Sequence, residues 1–143
     1  MLIVAVAAAL GFGAYRAIVD GRFSGTHRVR GGEAATTVTA AASVLEGADL
    51  EHELGDRATL LQFSSAFCAP CRATRRVLAD IADAVPGVVH VEVDAEHHLE
   101  LVRRLGVLRT PTTLILDSHG AEITRAAGAP RKEQVLSSLA SAL

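Results

Sequence analysis

The residues best suited to chemistry are Cys68 and Cys71, the only two cysteines of the chain, set three apart in Phe67-Cys68-Ala69-Pro70-Cys71. Cysteine used this sparingly is rarely packing material. Two thiols one helical turn apart have Cα atoms near the ~5.5–6 Å that a disulfide prefers, so the pair can close and reopen. Pro70 suits a first helical turn, where its missing N–H costs nothing, and the motif therefore predicts a helix start. The positive end of the helix dipole favours the first thiol as thiolate, the species that attacks disulfides. A lone CxxC also has two blander readings, half of a zinc site or a pair of inert thiols. A structural zinc site takes four ligands, and neither a second CxxC nor a histidine at ligand spacing is present. The residues favour thiol–disulfide exchange.

A strand must deliver the chain to this motif and a helix must carry it away. Residues 59–64 (TLLQFS) are mostly apolar and β-prone, as a buried central strand requires. After the cysteines, Val77, Leu78, Ile81, Ala82 and Val85 recur at helical spacing until Pro86-Gly87 ends the helix. Residues 88–93 (VVHVEV) alternate as a strand. Asp94 is placed to cap a helix running to Leu105, and Gly106 stops it. Residues 112–116 (TTLIL) predict a strand, 117–120 a hairpin turn into 122–125, and Pro130 a final helix with Val135, Leu136 and Leu139 inward. Upstream, residues 36–39 predict an edge strand and 48–54 a weak helix. The order βαβαβαββα is an α/β pattern, a central mixed sheet flanked by helices on both faces. The cysteines then sit at the C-terminal end of a strand, where such sheets place their chemistry.

These landmarks resemble the thioredoxin family. The resemblance covers residues 60–143 and rests on Phe63, the Phe67–Cys71 motif, Val93-Asp94, Gly106-Val107, Thr110-Pro111-Thr112, Gly120 and Gly128. It is weak before Asp56 and absent at the N-terminus. It implies the thioredoxin fold, with Pro111 cis beside the cysteines and the Thr110 backbone bonding an extended substrate segment. Phe67, Ala69, Pro70, Thr110 and Pro111 would form the substrate-binding edge. Cys68, at the exposed helix start, is the expected nucleophile, and Cys71, one turn deeper, resolves the mixed disulfide. No cofactor is expected beyond the redox-active disulfide, and no metal. The implied partners are protein disulfides and a source of electrons, either a reductase or a membrane thiol shuttle.

The chain departs from the family in two places beneath the dithiol. Where thioredoxins carry a buried aspartate six residues before the nucleophile stands Gln62, which does not titrate, and the family's lysine on the next strand matches His90. His90, through Gln62 or a water, is a candidate proton relay; the plainer reading makes it a polar residue at a sheet end. Phe67 replaces the family's tryptophan and keeps an apolar surface without the indole N–H. The Ala-Pro dipeptide resembles that of a reductant more than the histidine-containing pairs of oxidants. Arg72, Arg75 and Arg76 read as a solvated helix face, with Arg72 a candidate contact for a docking partner.

The N-terminus is a different kind of sequence. Residues 2–15 are uncharged and mostly apolar, and Ala17-Ile18-Val19 continue the run past Arg16. Eighteen helical residues span roughly 27 Å, a short transmembrane anchor if Arg16 reaches the headgroups. A signal peptide or a buried core helix are the competing readings. Arg16, Arg22, Arg28 and Arg30 follow the run and no Lys or Arg precedes it, which by the positive-inside rule puts the following domain in the cytoplasm. The reverse orientation would make it an extracytoplasmic reductase. The expected organisation is an anchor over 1–19, a glycine-rich flexible linker over 20–33 and the thioredoxin-like domain over 34–143.

Composition closes off other classes. Half of the 143 residues are apolar, enough for one core, and a net charge of −2 offers no handle for nucleic acid. Neither a phosphate loop nor a serine elbow is present. His97 and His98, with Glu96 and Glu100, read as a solvated face rather than a metal site. The alternative function is a metallochaperone passing Cu(I) or zinc through the CxxC thiolates, although the only methionine is Met1.

Overall fold

The computed structural model describes residues 2–25, 43–47 and 54–143. Its elements run α1 (Leu2–Val19), β1 (Phe23–Gly25), β2 (Ala58–Ser64), α2 (Ala69–Ala84), β3 (Val88–Asp94), α3 (Leu99–Arg104), β4 (Thr112–Asp117), β5 (Glu122–Ala127) and α4 (Lys132–Ala142). The strands form one sheet in the order β1-β5-β4-β2-β3. β2 and β3 are parallel and the remaining pairs antiparallel, so the sheet is mixed.

β2 and β4 are central, and their side chains are buried on both faces apart from Asp117 at the end of β4. That explains their near-continuous apolar runs. Leu60, Ile115 and Val88 pack with Leu78 and Ile81 of α2 and Val135 and Leu139 of α4 on one face. Leu61, Phe63, Val91, Val93, Leu114 and Leu116 pack with Leu101 and Val107 on the other. Each fully buried Leu or Ile is worth about 1.5–3 kcal/mol, against at most about 1 kcal/mol for an exposed ion pair. The apolar layers therefore hold the sheet, and the surface pairs only trim it.

Several boundaries differ from expectation. Asp94 does not cap α3; its carboxylate accepts from Glu96 N–H at 2.8 Å, closing a turn that delays the helix to Leu99. The last helix starts at Lys132, two residues after Pro130, and Gln134 Oε1 accepts from Arg131 N–H at 2.9 Å. The strand expected at 36–39 lies outside the described residues, as does the helix expected at 48–54 except for Leu54, which is not helical. Within the expected flexible linker, residues 20–22 turn the chain after α1 and residues 23–25 form β1. Phe23, Ser24 and Gly25 pair with Ala126, Arg125 and Thr124, which covers the edge of β5. Residues 26–33 of that linker lie outside the described residues.

α1 forms over the apolar run, and its described large apolar side chains are exposed, Ile3 at 84% and Leu10 at 69%. The membrane crossing expected of it is not shown: among the described residues no helix is long and apolar enough to cross a membrane. Its 18 residues fall just short of a hydrocarbon core of about 30 Å, and Arg16 sits in its last turn.

Candidate active site

The site is assembled where β2 ends. Ser64 closes the strand, and Ser65 to Phe67 turn the chain into α2. Phe67 holds φ at +59°, the left-handed region, and its side chain is fully exposed. A non-glycine residue there costs on the order of 1–2 kcal/mol, so the surrounding fold keeps an aromatic ring out in solvent beside the cysteines. Sequence reasoning gave no sign of this backbone.

Cys68 is the N-cap of α2, and Pro70 lies in the first turn as the motif predicts. The Cys68 sulfur accepts the Cys71 N–H at 3.1 Å, a donor that together with the helix dipole stabilises a thiolate. Cys68 and Cys71 are joined in a disulfide with Cα atoms 5.2 Å apart. Cys68 is half-buried, Ala69 and Pro70 are exposed, and Cys71 is 2% exposed. One sulfur is reachable and the other is shielded.

The second wall is the loop before β4. The Thr110–Pro111 peptide is cis. Ser65 Oγ and Thr110 Oγ1 are hydrogen-bonded at 2.8 Å, tying this loop to the turn that carries the cysteines. Pro111 is buried and Thr110 half-buried. The Pro111 carbonyl accepts Gly128 N–H at 2.7 Å, and the Thr112 hydroxyl donates to the Arg109 carbonyl at 2.7 Å.

Beneath the dithiol, Gln62 is fully buried. Its amide hydrogens are both used, on Ser64 Oγ at 2.8 Å and on the carbonyl of Cys71 at 2.9 Å. Its Oε1 meets His90 Nε2 at 3.1 Å, so His90 carries its proton on that nitrogen. His90 and Gln62 are thus in contact, and the amide nitrogen meets the backbone of Cys71. Burial pushes the His90 pKa below its ordinary value; Glu92 opposes this and Arg75 adds to it.

Two further participants escaped the sequence reading. Burial alone would raise the Glu92 carboxyl, but hydrogen bonds from Arg75 and Ser64 hold it below the ordinary value. Arg75, expected on a solvated face, pairs with Glu92 across α2 and β3, with Nη2 donating at 2.9 Å. The β3 alternation places 90, 92 and 94 on one face and was the available signal. Arg72 is exposed. His97 pairs with Asp94, and His98 Nδ1 meets the Asp94 carbonyl at 3.0 Å. Among the described residues no cluster of three or more His, Cys, Asp or Glu side chains could hold a metal ion.

The thioredoxin family profile matches residues 41–141. The chain belongs to the thioredoxin family. It is 33% identical to a thioredoxin of Alicyclobacillus acidocaldarius subsp. acidocaldarius over 90 residues, 62% of this chain and 85% of that one. It is 30% identical to an H-type thioredoxin of Oryza sativa subsp. indica over 77 residues, 54% of this chain and 62% of that one. A further relative, thioredoxin H-type 1 of Nicotiana tabacum, is matched over 58% of its length, so the chain spans about three-fifths of these two plant thioredoxins. Among solved structures, thioredoxin NaTrxh of Nicotiana alata superposes with a TM-score of 0.55 at 23% identity, over 61% of this chain and 74% of that one. Fasciola hepatica thioredoxin gives 0.55 at 22% identity, over 62% and 84%. The sheet from β2 to β5 with α2 to α4 is therefore the thioredoxin fold, and β1 adds a strand along β5.

Proposed function

We propose that this thioredoxin-family chain is a protein-disulfide reductase held at a membrane by α1. The observation that carries the redox reading is the asymmetry of the dithiol: Cys68 half-exposed as the N-cap of α2, Cys71 shielded one turn deeper. In the reduced protein the Cys68 thiolate attacks one sulfur of a substrate disulfide. The substrate S–S bond breaks, one substrate thiolate leaves and takes up a proton, and a mixed disulfide forms. Cys71 then gives up its proton and attacks the Cys68 sulfur, which expels the second substrate thiol and closes Cys68–Cys71. Two electrons and two protons pass to the substrate. An electron donor must reopen the disulfide, a thioredoxin reductase on the cytoplasmic face or a membrane thiol shuttle on the other.

Phe67, Ala69, Pro70, Thr110 and Pro111 form the docking edge in this reading, with the Thr110 backbone bonding an extended substrate segment. The exposed Phe67 ring and the Ser65–Thr110 hydrogen bond support it. The apolar surface of α1 supports the tether, with Arg16 reaching the headgroups and the domain facing the cytoplasm. The test is a trap. Cys71→Ser should accumulate mixed disulfides through Cys68 that dithiothreitol releases, whereas Cys68→Ser should form none. Equal trapping by both variants would contradict the assignment.

A further inference from the structure

Asp20 and Gly21 brace the loop that carries Pro111, which a mere linker has no need to do. Asp20 continues the end of α1, its N–H donating to the Arg16 carbonyl at 2.9 Å. The Asp20 carboxylate accepts from Arg109 Nη2 at 2.5 Å, and that nitrogen also donates to the Ala127 carbonyl at 2.6 Å. Gly21 N–H donates to the same carbonyl at 2.9 Å. One residue further on, Gly128 N–H bonds the Pro111 carbonyl. The fit is close enough to require glycine. A Cβ on Gly128 would lie 2.9 Å from Asp20 Cγ, and one on Gly21 2.2 Å from the Ala129 carbonyl oxygen. Asp20 thus reaches the cis-proline loop through Arg109, immediately before Thr110, while Arg109 and Gly21 together hold the Ala127 carbonyl, one residue from the Gly128 N–H that bonds Pro111.

We infer that the Asp20–Arg109 pair positions the Thr110–Pro111 loop for protein substrates. The inference rests on reading that loop as the docking edge. Both are positioning residues: their side-chain hydrogen bonds go to each other and to Ala127, not to the cysteines. Losing the pair should therefore weaken docking and leave the dithiol chemistry alone. The two side chains are 39% and 44% exposed, so the effect is modest, about three- to fivefold.

The test uses the full chain in detergent, with insulin as the protein disulfide and oxidised glutathione as a small one. Asp20→Asn and Arg109→Gln should each raise the KM for insulin about three- to fivefold with kcat unchanged, and the double variant should be no worse than either single. Glutathione turnover and the Cys68–Cys71 potential should stay at the wild-type values. Phe67→Ala serves as the control for docking. An insulin KM that moves for Phe67→Ala but not for Asp20→Asn overturns the positioning role and leaves the docking edge standing. If neither variant moves it, the docking edge itself is wrong and the inference falls with it. A parallel loss with glutathione, or a shifted potential, also overturns it, because the pair would then act on the dithiol or on the fold.

Discussion

Gln62, an amide that cannot release a proton, stands where the family resemblance implies a titratable carboxylate, and its surroundings show what the position does here. Its amide hydrogens are fixed on Ser64 and the Cys71 carbonyl, and Ser64 bonds Glu92, whose other partner is Arg75. The ionisable groups thus stand one step back, on β3. His90 is the testable one. Burial, opposed by Glu92 and helped by Arg75, places its folded pKa below the ordinary 6.5. As pH falls through 6.5 the unfolded chain takes the proton first, so folding is progressively weakened until the folded pKa is passed. Glu92 acts lower: its contribution is present above the ordinary 4.5 and is lost as pH falls through its depressed value. His90→Gln should therefore flatten the change in urea midpoint of the oxidised protein between about pH 7 and 5.5. A midpoint that still falls in parallel with wild type would show that His90 is not the group responsible. The sequence alone reveals the Gln62 and His90 substitutions because both occupy recognisable strand positions. It does not reveal Arg75–Glu92, whose partners are 17 residues apart and meet only once α2 has packed on β3.

The elements most legible in the sequence were those with the strongest period. β2, α2, β3 and β4 lie where apolar runs and alternation put them, because their burial decides both the pattern and the pairing. β1 was hidden for the opposite reason. Phe23-Ser24-Gly25 has no strand signal of its own and is extended by pairing with β5. α3 was expected too long because Asp94 reads as a helix cap but closes a turn instead. α1 is the element whose role most needs a test. Its described side chains are exposed and set no face against the sheet, as Val6, Leu10, Phe12 and Ile18 attest. On the tether reading, the full chain should float with phosphatidylcholine vesicles at high salt. Leu10→Asp, near the helix centre, should oppose insertion by about 3 kcal/mol and shift most of the protein to the soluble fraction. Recovery of the wild-type chain in the soluble fraction would remove the tether and leave the redox account intact.

At the scale of the whole molecule, the sheet ends at the edge that carries the dithiol, and the pieces of that edge come from distant parts of the chain. Ser65 meets Thr110, Gly128 meets Pro111, and Asp20 meets Arg109 across 89 residues. The cysteine motif was legible because its two thiols are neighbours in sequence. The brace was not, because ion pairs between residues so far apart follow from topology rather than composition. The central claim is that this edge donates electrons to disulfides, and the reduction potential of Cys68–Cys71 tests it most directly. Equilibrating the full chain in detergent with dithiothreitol buffers should give a single two-electron transition near about −270 mV, the range of a reductant. A value near about −120 mV, the range of a strong oxidant, would contradict the account.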